Sequence, residues 1–492
     1  MKRLSAGFLP SIALDTDGGV PMCEQLSEWF RRAIMDGRLQ PGQRVPSTRG
    51  LAKELRISRI PVLSAYEQLY AEGYLETFVG AGTCVARSIL GDALKPAHVT
   101  VRASRRSSGQ GAPRRLSQRV AVLRTPPQTW ANNHGAFRVG LPAIDHFPIA
   151  AWSKLVHRHA HRPPIGHMVY GTPMGHLPLR EAIAEYLGTV RAVRCDASQI
   201  LITTGSQHGL QICAHALLEA KDRVWMEDPG YPGARQAFRT VGAQIVPVRV
   251  DDEGLNVDEG MRLGRNARAV YISPSHQFPL GVTMSASRRM QVLNWAARTG
   301  AWIIEDDYDS EYRFGGRPLA SLQGMDADDR VIYLGTFSKV MFPALRVGYV
   351  VIPKDLVAAF AIVRDAFDTF SSTLYQAALC DFIRDGHFAR HIRRMRALYQ
   401  ERRNALLEAI DQVKDGKLEV IGTNAGMQLT ALLPPGVNDV ALSIETAKLG
   451  ISTRPLSICY AAPPPRGGVI LGYPGASVPE IQDGVRKLRS CL

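Results

Sequence analysis

Three apolar runs in the C-terminal two thirds of this 492-residue chain end on residues able to do chemistry. Val331–Thr336 reads as a buried strand and runs into Phe337-Ser338-Lys339, and a second strand-like run, 347–352, begins just after Arg346. A lysine held between two strands in apolar surroundings can have its amine pKa lowered, which suits imine formation with a carbonyl. Residues 301–304 end in Glu305-Asp306-Asp307-Tyr308, acids at the C-terminal edge of a strand, where α/β proteins bind ligands. Residues 201–204 lead through Gly205-Ser206-Gln207 into a helix; the N–H groups at a helix start bind phosphate, and glycine allows close approach. Each signal alone is weak, since isolated lysines and strands ending in acids are common.

The elements that must position these residues follow from patterning. From about residue 131 onward, strand-like runs alternate with amphipathic stretches, the pattern of an α/β domain. Residues up to about 87 show helical periodicity instead. Between them, residues 88–130 are rich in Arg, Ser, Pro and Gly, with Arg102, Arg105, Arg106, Arg114, Arg115, Arg119 and Arg124 and no acid after Asp92. Such a stretch cannot bury enough apolar surface to offset its ordering entropy and reads as a basic flexible linker. The expected domains are 15–87, the 88–130 linker and 131–492. The net charge of +14 is unevenly spread: residues 1–130 carry 19 Lys/Arg against 10 Asp/Glu, the remainder 40 against 35. A basic segment attracts polyanions, which matters only where a reading element accompanies it. No apolar run reaches the roughly 20 residues of a membrane span, and no apolar segment follows the basic N-terminus as in a secretory signal. Seven scattered cysteines without a C-x-x-C pair read as reduced thiols, with no metal site, so a cytoplasmic location is expected.

The N-terminal periodicity resolves into three short helices and a hairpin. Leu26, Phe30, Ala33 and Ile34 fall on one helical face, stopped by Gly37 and Pro41-Gly42. Ser47 caps a second helix bearing Leu51 and Leu55. Ser58 is placed to cap a third carrying Val62, Tyr66 and Leu69, with Pro61 in its first turn, where a missing N–H costs little. Strands at 75–79 and 83–86 then form a wing. Two closely spaced helices followed by a wing can place a recognition helix in a major groove. Arg59 stands at the end expected to reach bases, beside Ser58. Arg44, Ser47, Thr48 and Arg49 surround the start of helix two, where phosphate would lie. Gly82 and Thr83 sit at the wing, within reach of a minor groove.

Residues 39–86, LQPGQRVPSTRGLAKELRISRIPVLSAYEQLYAEGYLETFVGAGTCVA, closely resemble the GntR-type winged helix-turn-helix, departing from it at Ile60-Pro61. The string GTFSKVMFPALRVGY resembles the Schiff-base motif of fold-type I pyridoxal-phosphate enzymes of the aminotransferase type. That resemblance implies an α/β fold-type I domain with Lys339 as the Schiff-base lysine and Thr336 and Arg346 on the cofactor phosphate. It also implies Asp306 on the pyridine nitrogen, Tyr308 on the phenolic oxygen, and Gly205, Ser206 and Gln207 in the phosphate cradle; Asp307 and Asp309 then read as ordinary loop acids. Tyr231, in EDPGYPGAR, would stack on the ring; Tyr170, in YGTPMGHLPLR, would reach the neighbouring subunit's phosphate. Two departures stand out. The N-P-x-G asparagine is absent from SPSHQFPLG, and no arginine occupies GVILGYPG, where a substrate carboxylate clamp often lies. Arg454, in ISTRPLSICY, is the nearest alternative clamp.

A GntR-type reader joined to an aminotransferase-like domain resembles the MocR subfamily of bacterial regulators, as EDPGYPGAR, PSHQFP and EDDYDSEYRF do specifically. The resemblance implies a pyridoxal-phosphate-bearing transcriptional regulator of genes for amino-acid or vitamin B6 metabolism. It would bind a double-stranded operator as a head-to-tail homodimer and respond to an amine or amino acid, or to the cofactor itself. The two departures argue for at most residual transamination; the alternative is a working aminotransferase that also regulates transcription.

Overall fold

The computed structural model describes residues 12–15, 19–78, 82–87, 117, 120, 123, 135–315, 319–412, 418–464 and 466–492. It divides into two compact units, Met1–Arg115 and Leu116–Leu492. Nearly all of the basic stretch 88–130 lies outside the described residues.

The N-terminal unit holds α1 (Met22–Met35), α2 (Thr48–Leu55), α3 (Arg59–Ala71) and a hairpin of β1 (Leu75–Phe78) with β2 (Gly82–Val85). The periodic residues Leu26, Phe30, Ala33, Ile34, Leu51, Val62, Tyr66 and Leu69 are all buried in its core. Phe30 meets Tyr66 edge-on at 5.5 Å, and the Tyr66 hydroxyl donates to the Pro46 carbonyl (2.9 Å), tying α3 to the entry of α2. The Ser47 hydroxyl accepts the Gly50 N–H (3.1 Å) and caps α2. Ser58 occupies the corresponding position at α3 with extended backbone, yet its side chain makes no capping bond, which corrects the expected cap. The wing also gains a third edge: Gln43 and Val45 bond to Val85 and Thr83, and Arg44 bridges to Cys84.

The C-terminal unit is built on an eight-stranded mixed sheet in the order β3 (Ile200–Thr203), β10 (Gly348–Val351), β9 (Val331–Thr336), β8 (Trp302–Asp307), β7 (Ala267–Ile272), β4 (Arg223–Asp228), β5 (Gln244–Asp251), β6 (Gly254–Leu255). The central strands β9, β8, β7, β4 and β5 are parallel, and β10 runs antiparallel between β3 and β9. Strands covered on both faces read as continuous apolar runs; β3, β8, β9 and β10 are buried at every residue. Helices including α4 (Ser206–Leu217) pack on the sheet, for example through Leu210 and Cys213 against Val350 and Leu334 in one core cluster. A second, four-stranded antiparallel sheet follows in the order β11 (Glu419–Ile421), β12 (Gln428–Leu432), β14 (Gly468–Gly472), β13 (Arg454–Pro455). This is the fold-type I α/β architecture expected of the segment. Among the described residues no helix is long and apolar enough to cross a membrane, and no group of three or more His, Cys, Asp or Glu could hold a metal. All seven cysteines are free thiols.

Candidate functional sites

The carboxyl ends of β8 and β9, the start of α4 and the second sheet contribute to one cavity of about 230 Å³. Lys339 lines it from the turn that follows β9, in the connection between β9 and β10, the two strands its flanking sequence suggests. Its Nζ donates to the Gly140 carbonyl at 3.0 Å, and a Cβ on Gly140 would collide with that amine. Burial lowers the Lys339 pKa, favouring the neutral amine that attacks carbonyls.

Asp306, the penultimate residue of β8, is 5% exposed. Its Oδ2 accepts from the Tyr271 hydroxyl at 2.6 Å, while Oδ1 has no partner among the described residues. Burial raises its pKa to about 6, against the opposing pull of the Tyr271 bond. A buried carboxyl with one open oxygen is a receptor for a donor N–H, the chemistry a protonated pyridine nitrogen offers.

The phosphate side is equally specific. Gly205 caps α4 with φ +99°, leaving Ser206 and Gln207 at the helix start and on the cavity wall. Arg346 faces them: its Nη2 donates to the Thr204 carbonyl (2.6 Å), and a Cβ on Gly205 would lie 3.0 Å from Nη2. A guanidinium beside free helix-start N–H groups suits a phosphate monoester. Thr336, Tyr231 and Tyr308 also line the cavity, so these residues together fit pyridoxal phosphate.

Arg454, at the first residue of β13, reaches the same cavity, its guanidinium 5.5 Å from the Phe278 ring centre. Its buried Nε has no partner among the described residues. Phe278, from the string lacking the asparagine, is part of the wall, and its ring meets Tyr231 edge-on at 5.9 Å. Tyr170 is not part of this cavity. It is 88% exposed and packs against Phe370.

Two acids expected to be ordinary are not. Asp307 is buried and paired with Arg191 (2.7 Å), and it also accepts from Tyr333. Asp309 is buried against His276 (3.0 Å). Both continue a strand end that folds inward, so their charges need partners. The sequence reading also missed Tyr271, Ser338 and Gln428 on the cavity wall. Gln428 comes from the second sheet, and Tyr271 reads as one more apolar position of β7; no local signal marks either.

In the N-terminal unit, Arg44, Ser47, Arg49, Ser58 and Arg59 are exposed and Thr48 is half-buried. The Arg59 Nε donates to the Thr48 hydroxyl at 3.2 Å, so the starts of α2 and α3 are adjacent. Gly82 is exposed at the wing, with φ +80°. The Thr83 hydroxyl is engaged with Tyr70 at 2.7 Å.

Comparison with known proteins agrees with both units. Residues 23–85 match the family of bacterial regulatory proteins of the gntR type, and residues 146–469 match aminotransferase class I and II. The chain is 39% identical to the "Probable rhizopine catabolism regulatory protein MocR" of Rhizobium meliloti, over 98% of this chain and 96% of that one. It is 30% identical to the pyridoxine biosynthesis transcriptional regulator PdxR of Corynebacterium glutamicum, over 94% of each. A solved kynurenine aminotransferase from Pyrococcus horikoshii superposes with a TM-score of 0.71 at 27% identity, covering 76% of this chain and 96% of that one. Because the likeness to such regulators spans both the reader and the aminotransferase-like fold, the chain belongs to the MocR type of GntR-family transcriptional regulators.

Proposed function

We propose that this regulator carries pyridoxal phosphate on Lys339 and uses it to sense an amine or amino acid. The observation that carries the reading is one cavity holding a buried lysine amine, a carboxyl with an open oxygen, and an arginine facing a helix start. Pyridoxal phosphate, when bound, supplies an aldehyde that combines reversibly with amines and a ring that withdraws electrons. Around it the protein's groups divide the work. Lys339 supplies the covalent amine, and Asp306 holds a proton at the ring nitrogen. Gly205, Ser206, Gln207, Thr336 and Arg346 take the phosphate, and Tyr231 gives the ring a platform. Arg454, beside Lys339 in the cavity, gives a carboxylate a partner, which favours an amino acid over a simple amine.

The Arg454 position also lends weight to the second reading, a working aminotransferase, because the pocket does not lack a cation for a substrate carboxylate. The asparagine absent from SPSHQFPLG still weighs for a sensor, with the cofactor itself as a further candidate effector. An effector acts as a switch only by binding two conformations unequally. The exposed apolar run Ile165, Met168, Val169 and Tyr170 supports a homodimer, since an isolated protomer would leave it in water. In a head-to-tail pair Tyr170 would reach the partner's phosphate. Two readers would then meet paired half-sites of a DNA operator through Arg44, Ser47, Thr48, Arg49, Ser58, Arg59, Gly82 and Thr83.

Titrating amines and amino acids into the cofactor-loaded protein while following visible absorbance tests the reading. Stoichiometric spectral change without 2-oxo-acid release supports sensing. Catalytic formation of 2-oxo acid supports the enzyme. Footprinting the DNA upstream of its own gene would identify the operator.

A further inference from the structure

Tyr308 lines the cavity, and two side chains contact its hydroxyl: Gln428 Nε2 at 3.0 Å and His276 Nδ1 at 3.0 Å. A phenol has one hydrogen to donate and lone pairs to accept with. Gln428 donates. The same His276 Nδ1 lies 3.1 and 3.0 Å from the two carboxylate oxygens of Asp309, which can only accept. That nitrogen therefore carries the ring hydrogen and shares it between Asp309 and Tyr308. Asp309 is held in turn by the Met427 N–H (3.2 Å), and a Cβ on Gly426 would collide with the His276 ring. His276, Asp309 and Gln428 are each 3% exposed or less. With both neighbours acting as donors, the Tyr308 hydrogen has no acceptor in this cluster and is left for the cavity. Burial holds the phenol pKa well above its usual value, so the hydrogen stays in place at neutral pH.

We propose that His276, Asp309 and Gln428 are positioning residues that make the Tyr308 hydroxyl a one-way hydrogen-bond donor to a ligand oxygen in the cavity, filling the role of the asparagine missing from SPSHQFPLG. The inference rests on the cofactor reading above, in which that oxygen is the phenolic oxygen of pyridoxal phosphate. A donor there stabilises the oxygen's anionic form, so its strength is read in the pH midpoint of the cofactor's visible absorbance.

The test uses the full chain loaded with pyridoxal phosphate. Gln428→Glu offers the Tyr308 hydroxyl an acceptor and should raise the midpoint by about one pH unit, a tenfold change in proton affinity. Gln428→Met removes a donor without adding charge and should raise it by a smaller amount. In a Tyr308→Phe background, itself raised, Gln428→Met should add nothing. Melting curves of the cofactor-free variants that match the wild type set aside a general packing defect. Midpoints unmoved in both Gln428 variants would overturn the proposal, as would a Gln428→Met shift that persists without the Tyr308 hydroxyl. A wild-type protein that develops no visible band would instead overturn the cofactor reading, and this inference with it.

Discussion

At the start of α3, Arg59 lies in solvent with one hydrogen bond, to Thr48, and Arg44 and Arg49 are exposed nearby. At the end of β8, Asp306 lies buried with one oxygen on Tyr271 and the other open. The first group of charges works at a distance: a basic face attracts phosphate through water over about 8 Å at physiological salt, and each residue contributes little to the fold. The second works because water is kept out, so each charge is costly until a partner arrives. Charges of the reader are therefore separable from stability, whereas charges of the pocket are coupled to it and to ligand binding.

The sharpest way to break this contrast is Lys339→Ala. It should abolish the covalent visible band altogether while DNA binding by the N-terminal unit survives, measured by absorbance and by gel shift. Loss of both would show that the reader is not separable from the pocket. Next in size is Asp306→Asn. The folded carboxyl's pKa, about 6, is raised from an ordinary value near 4. The cofactor-free protein therefore loses the stability tied to protonated Asp306 as pH climbs from about 4 through 6, and keeps all of it below. The asparagine variant does not ionise, so at pH 7.5 it should be more stable than the wild type, by up to about 2–3 kcal/mol. It should also bind the cofactor more weakly. Equal stability at pH 4 and pH 7.5 for both proteins would contradict a costly buried carboxylate.

Arg59→Ala should weaken binding to the specific operator by about 1–3 kcal/mol if it reads a base, with little change in melting temperature. An unchanged footprint would remove it from the reading face. Smallest is a paired test of the caps. Ser47→Ala should cost about 1 kcal/mol of stability in the N-terminal unit, because the Gly50 N–H loses its acceptor. Ser58→Ala should cost close to nothing, since that hydroxyl caps no helix bond. Equal losses would mean that Ser58 carries a bond the folded geometry does not reveal.

The same contrast explains how much was legible beforehand. The reader's core follows from local periodicity: Leu26, Phe30, Ala33 and Ile34 repeat at helical spacing and are buried together. Lys339, Asp306, Arg346 and the Gly205 turn sit at the ends of apolar runs, where strand edges meet ligands, and they line or adjoin one cavity. What could not be read came from contacts far apart in sequence. Gln428 touches Tyr308 across 120 residues, and Gly140 meets Lys339 across 199. Asp307 and Asp309 look like surface acids because nothing nearby names Arg191 and His276 as their partners. The Ser58 cap failed for a different reason: residue type permits a cap, but side-chain geometry decides whether the bond forms.

The central claim is that Lys339 is the covalent attachment point for pyridoxal phosphate in a regulator. Borohydride reduction of the cofactor-treated protein, followed by peptide mass mapping, tests it most directly. The expected result is a single phosphopyridoxyl group on the peptide containing Lys339, lost in Lys339→Ala. A modification on another lysine, or none at all, would contradict it.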